Sequence, residues 1–232
     1  MGSPPKQIIK IEWSSNFAYA IGLITSDGWL CRGSYRIGFG SKEIEMMNNF
    51  SAALGLKNII GKHARGGEVE KKYFYINFKS KDLYNYLLTI GLTPAKSHLI
   101  QSIAVPDLFF VDFLRGIFDG DGTFYYSRDK RWPEAVIFKT SFASASPSFL
   151  TWLKRKLTNL HGLNGYLHKG KGVINLEYSK GDSMRLFDIM YHRNDILFLK
   201  RKYFKMKSAI ERSRSSLMVK HSPEERMKSV RF

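Results

Sequence analysis

Asp27 and Asp121 occupy the same setting twice in this chain. Each closes a mostly apolar run, residues 15–26 (SNFAYAIGLITS) and 107–120 (DLFFVDFLRGIFDG), and each is followed by a glycine, Gly28 or Gly122. The apolar spacing of both runs reads as helix, so both carboxylates fall at helix C-terminal ends. The helix dipole is negative there, and two carboxylates close together repel. A pair placed in that way is stable when a cation lies between them, and hard divalent ions suit oxygen donors, Mg²⁺ first. An isolated Asp-Gly usually does no more than turn the chain. Its recurrence 94 positions on, from 27 to 121, favours the metal-binding reading.

The elements that must bring these acids together can be read from the same runs. Ala18, Gly22 and Ser26 fall at i, i+4 and i+8, and Gly116 and Gly120 are spaced likewise. Faces this small let two helix backbones approach closely. If they pack against each other, Asp27 and Asp121 emerge side by side. The segments after the two helices also repeat each other. After Gly28 the alternation and apolar spacing predict strands near 29–32 and 35–40, a helix near 41–54, strands near 58–64 and 73–78, and a helix near 81–90. After Gly122 they predict strands near 123–127 and 135–142, a helix near 147–160, strands near 165–168 and 173–178, and a helix near 182–191. The expected fold is therefore α+β, a duplicated αββαββα half-domain with pseudo-twofold symmetry and two antiparallel four-stranded sheets. A repeat of this length is a duplicated half-domain, not a solenoid. The expected divisions are a first half at 1–95, a linker at 96–106 between Pro94 and Pro106, a second half at 107–212 ending in a further helix near 199–212, and a basic tail at 213–232.

Composition names the partner class. The 232 residues include 37 Lys and Arg against 20 Asp and Glu, a net charge of +17, with an isoelectric point near 9.9. That balance points to a polyanion, nucleic acid above all. The single cysteine, Cys31, excludes an internal disulfide, and no zinc-finger spacing is present. No apolar run approaches the roughly 18 residues of a membrane span, and the first residues lack a signal peptide's apolar core. An intracellular, non-secreted location is expected, with no membrane partner.

Residues 20–28 (AIGLITSDG) and 114–122 (LRGIFDGDG), each followed by ββαββα, resemble the two motifs of a monomeric LAGLIDADG homing endonuclease. The resemblance implies that Asp27 and Asp121 are the metal-binding catalytic acids. Asp119 matches the motif's earlier acidic position, where the first half has Thr25; that position is not the essential acid in the family. The implied activity is metal-dependent hydrolysis of one phosphodiester per strand across the minor groove of a long, partly palindromic duplex, leaving 3′ overhangs. Mg²⁺ is the expected cofactor, with Mn²⁺ substituting and Ca²⁺ binding without cleavage. The main-chain carbonyls of Ser26 and Gly120 are candidate additional ligands. A cation near each scissile phosphate would offset transition-state charge, and Lys96, after the last helix of the first half, and Lys200 or Lys202, after that of the second, stand at corresponding places.

The two sheets together would form a DNA-binding saddle, each strand turning one parity toward DNA and the other toward the helices. Candidate base or backbone readers are Arg32, Arg36, Lys62, His63, Arg65, Lys72, Tyr75, Asn77, Arg128, Arg131, Lys139, Ser141, His168, Lys171, Asn175 and Glu177. His98, beside Lys96, is expected to be structural. Two other uses of such a fold stand as alternatives: an RNA-binding intron maturase, and a DNA-binding regulator that does not cut. Retention of both acids favours cleavage.

Overall fold

The computed structural model describes residues 9–64, 69–128 and 136–220, though not the side chains of Arg128 and of residues 215–220. Arg65, Arg131 and the end of the basic tail, 221–232, lie outside the described residues. The first half runs α1 (Ser15–Asp27), β1 (Gly28–Cys31), β2 (Arg36–Ser41), α2 (Ile44–Leu54), β3 (Gly61–His63), β4 (Tyr73–Lys79) and α3 (Lys81–Thr89). A short helix, α4 (Lys96–Leu99), comes next. The second half runs α5 (Phe110–Asp121), β5 (Gly122–Arg128), β6 (Val136–Ser144), α6 (Pro147–His161), β7 (Tyr166–Lys169), β8 (Ile174–Tyr178) and α7 (Lys180–Met190), and ends in α8 (Lys200–Lys220). The strands form two four-stranded antiparallel sheets in the same order, β1-β2-β4-β3 and β5-β6-β8-β7. The α+β class and the repeated αββαββα order are as expected.

Local chemistry explains where the helices start. The Ser14 side chain accepts from Phe17 N–H at 3.2 Å, Ser80 caps α3 through Leu83 N–H, and Ser146 caps α6 ahead of Pro147. Three elements differ from expectation. The run before α5 opens with a 3-10 turn, Asp107–Phe109. The connecting segment is not a plain linker: it forms α4 and buries Lys96, Ile100, Ile103 and Val105. The last helix continues past 212 to Lys220, because residues 200–220 contain no Gly or Pro to stop it.

Alternation along the strands sends Ile37, Phe39, Ile76 and Phe78 in the first sheet, and Phe124, Phe138, Phe142, Leu176 and Tyr178 in the second, onto the helices. Phe39 stacks on Phe50 of α2, and Phe118 of α5 meets Phe142. No helix among the described residues is long and apolar enough to cross a membrane.

α1 and α5 run side by side through the centre, backbone against backbone. A Cβ on Gly22 would lie 2.3 Å from the Phe113 carbonyl oxygen and 2.9 Å from the Gly116 Cα, and one on Gly116 would lie 2.2 Å from the Tyr19 carbonyl oxygen. A Cβ on Gly120 would strike the Ser26 side chain. The pairs Ser15 with Asp112, Gly22 with Gly116 and Ser26 with Gly120 advance together along both helices, so the helices are parallel and end together.

Candidate active site

That shared end brings the two acids into one place. Asp27 and Asp121 are the last residues of α1 and α5, and Gly28 and Gly122 each turn at once into a strand. The Asp27 Oδ2 lies 3.2 Å from where a Cβ on Gly120 would stand, directly beside Asp121. Both aspartates reach solvent at the foot of the sheets, yet protein crowds the Asp121 carboxyl. That crowding, then repulsion from Asp27, pushes its pKa up to about 6 against the opposing pull of Lys96 and Lys202. Two carboxylates that resist sharing negative charge make a site suited to a cation.

Two buried lysines flank the pair in matching positions. Lys96 Nζ donates to the Ser26 carbonyl at 2.9 Å, and Lys202 Nζ to the Gly120 carbonyl at 3.1 Å and to those of Phe118 and Gly122 at 2.6 Å each. Each lysine therefore bonds the carbonyl preceding its own half's acid. Burial lowers the pKa of both, that of Lys202 to about 8. Lys96 lines a cleft with Asp121 and another with Asp27, and Lys202 lines a third with Asp27 and Tyr73. Of the two second-half lysines weighed from sequence, Lys200 is exposed and Lys202 is the one at the acids. The Ser26 and Gly120 carbonyls, read as extra metal ligands, already accept from ammonium groups, so a metal there would use each oxygen's remaining lone pair.

The predicted DNA readers divide by position. In the first sheet, Arg36, Asn77, Tyr75 and His63 lie on the face turned from the helices, in cross-strand rows with Lys79, Gly38 and Gly61. Trp29 lies across Gly38 there, leaving no room for a Cβ. Arg32 is in the exposed turn after β1, and Lys72 is exposed just before β4, paired with Glu70 at 3.1 Å. Lys62 differs: its ammonium sits over the Phe74 ring, on the side opposite Tyr75 and His63.

In the second sheet Ser141, Glu177 and Asn175 share the outer face with His168. Glu177 gathers three of its neighbours: Tyr166 donates to it, Lys139 Nζ lies at 3.2 Å and His168 Nε2 at 3.6 Å. Lys171 is exposed in the β7–β8 turn, and Arg128 ends β5. His98 is exposed on α4.

Sequence reasoning missed a buried polar cluster behind Asp121. Arg115 is wholly buried and donates to Asp112 at 2.8 Å, to the Met190 carbonyl at 2.9 Å and to the Leu197 carbonyl at 2.8 Å. Asp119, also wholly buried, accepts from Tyr19 Oη and from Leu199 N–H, both at 2.8 Å. Outside this cluster, Arg201 grips Glu43 of the first half. The available signal was Asp112 and Arg115 at i, i+3 inside an apolar helix, where an unpaired charge would be costly.

A LAGLIDADG-like domain matches residues 111–188, the core of the second half. No curated protein sequence is significantly similar to the chain. Among solved structures, the homing endonuclease I-WcaI bound to its DNA recognition sequence is similar at TM-score 0.58 and 13% identity, over 83% of this chain and 86% of that one. The homing endonuclease I-DmoI is similar at TM-score 0.51 and 19% identity, over 78% and 97%. The N-terminal LAGLIDADG domain of DUF199/WhiA is similar at TM-score 0.53 and 14% identity, over 79% and 85%. At these identities the likeness is one of fold. The second half thus carries a LAGLIDADG-like domain, and the duplicated fold of the whole chain, with its two nonapeptides at paired helix ends, is shared with solved homing endonucleases.

Proposed function

We propose that this chain is a site-specific DNA endonuclease that cuts both strands of a duplex across the minor groove and leaves 3′ overhangs. The observation that carries the reading is the acid pair itself: Asp27 and Asp121 meet at the ends of two helices packed backbone to backbone, with a buried lysine beside each. A relict fold that only bound DNA would have no use for two crowded carboxylates at the negative ends of two helices.

Asp27 and Asp121 would hold a divalent ion, and the donor set fits: hard oxygen ligands, two adjacent carboxylates that repel each other, and exposure of both residues to solvent. Such an ion, when bound, supplies a water of lowered pKa and neutralises charge on the phosphate. Mg²⁺ is the cofactor proposed, Mn²⁺ a substitute and Ca²⁺ a ligand without turnover. I-DmoI has been crystallised with DNA and Mn, and with DNA and Ca. Lys96 and Lys202, held charged by the nearby acids against the opposing effect of burial, would place positive charge near a pentacovalent phosphate as it gathers negative charge. The outer sheet faces, with Arg36, Tyr75 and Asn77 on one and Lys139, Ser141 and Asn175 on the other, would track the two half-sites of a long, partly palindromic target as a monomer.

Cleavage of a randomised duplex library with Mg²⁺, beside Ca²⁺ and chelator controls, tests the reading by sequencing the cut ends. One long recurring site with 3′ overhangs supports it. A second reading is a DNA-binding protein of the same fold that does not cut. That reading expects binding that persists in chelator and no cutting with any metal, and RNA would then be the next ligand to try.

A further inference from the structure

The two lysines are delivered in unequal ways. Lys202 lies in the first turn of α8, where its own N–H bonds the Leu199 carbonyl at 3.0 Å. Leu199 N–H in turn donates to the buried Asp119 carboxylate at 2.8 Å. A carboxylate at a helix N-terminus meets the positive end of the dipole and satisfies a donor that the helix leaves open. The same Asp119 oxygen accepts from Tyr19 Oη of α1 at 2.8 Å. Arg115, one turn back on α5, holds the carbonyls at both ends of the approach to α8, Met190 and Leu197. Asn49 Nδ2 adds a bond to the Phe198 carbonyl at 2.8 Å.

Among the described residues the first half has no such arrangement. Thr25 stands where Asp119 does, and its hydroxyl bonds the Ile21 carbonyl of its own helix at 2.7 Å. Ile21 stands in the place of Arg115. Lys96 opens a four-residue helix whose first cap, Ala95, is in the left-handed region and has no side-chain cap.

We propose that Asp119 is a positioning residue for Lys202: by capping α8 at Leu199 while gripping Tyr19, it sets the ammonium beside the Asp27 and Asp121 pair, and only the second lysine depends on it. The inference rests on the endonuclease reading for its consequence, since two lysines serving two strands would then be separately adjustable. It concerns α8 itself for its cause.

The test compares Asp119→Ala, Asp119→Asn and Tyr19→Phe with the unaltered protein by two measurements. Amide hydrogen exchange reads the start of α8 and, as an internal control, α4. Strand-resolved cleavage of the duplex recovered from the library reads each strand's rate. Asp119→Ala is expected to speed exchange at Leu199 and the first turn of α8 while leaving α4 unchanged, and to slow one strand on the order of 100-fold, the effect of misplacing a group by about 1 Å. Nicked duplex would then accumulate. Asp119→Asn keeps an acceptor for Leu199 N–H and should restore most of both signals. Tyr19→Phe removes only a hydroxyl and should give a smaller effect of the same sign, which decides the matter if Asp119→Ala does not fold. Equal slowing of both strands, or unchanged exchange at the start of α8 in the folded variants, overturns the proposal. If the unaltered protein cuts nothing, the endonuclease reading falls, and the exchange data alone decide whether Asp119 positions α8.

Discussion

Adding one methyl group at Gly116 should separate the two acids. Its Cβ would stand 2.2 Å from the Tyr19 carbonyl oxygen, 2.9 Å from the Gly22 Cα and 3.0 Å from the Leu23 nitrogen, where ordinary contact is 3.4–4 Å. All three obstacles are backbone, so no side chain can swing aside, and clearing them parts α1 from α5 by about 1 Å. Overpacking of this kind costs up to about 3 kcal/mol. The better helix propensity of Ala returns about 1 kcal/mol. The net loss of about 2 kcal/mol lowers Tm by roughly 4–8 °C in a chain of this size. Activity should suffer more, because the same 1 Å displaces Asp121 from Asp27, and misplacement on that scale costs on the order of 100-fold. Gly181→Ala in α7 is the control: nothing lies within 4 Å of its Cβ position, so it should gain about 1 kcal/mol. Calorimetry on both variants, with cleavage of the selected duplex, makes the comparison. A Gly116→Ala protein melting at or above the unaltered one would refute backbone-to-backbone packing of the two helices.

The site carries three further expected outcomes. Asp27→Asn and Asp121→Asn should each abolish double-strand cleavage and leave DNA affinity within a few fold; either variant cutting both strands at the original rate would sink the paired-acid mechanism. The raised pKa of Asp121, about 6 against 3.8, means that the metal-free folded state holds this proton more tightly than the unfolded chain does. Its contribution therefore favours folding at low pH and declines as pH rises from about 4 to about 6. Ca²⁺ binding needs the carboxylate and should show the opposite trend, weakening about tenfold per unit below pH 6 in calorimetric titrations. Arg115→Met leaves Asp112 buried without its cation and should cost about 3–5 kcal/mol. Adding Asp112→Asn should recover part of that in denaturant melts, and no recovery would mean that the pair is not what Arg115 sustains.

Much of this arrangement was legible in the chain because it rests on short-range periodicity. The repeat of αββαββα, the small faces at Gly22 and Gly116 and the placing of Asp27 and Asp121 at helix ends all come from spacings within one element. So does the strand alternation that turns Arg36 and Asn77 away from the helices. Helix ends were harder to read: α8 runs on to Lys220 because nothing in the segment stops it, and α4 forms where two prolines suggested only a connection.

Long-range choices belonged to the tertiary structure. Lys200 and Lys202 are equivalent in local sequence, and only the docking of α8 beside β5 and α5 exposes one and buries the other against three carbonyls. Lys62 looks like any basic strand residue until pairing with Phe74 fixes its face. Asp119 matches only a non-essential motif position, and Arg115 has no evident role, until residues 190–199, some 80 positions away, return to meet them. A local pattern records which face of an element is apolar, since that depends on neighbours one turn or two residues away. It does not record which distant backbone a buried polar group will satisfy, because that partner exists only once segments far apart in the chain have folded against each other.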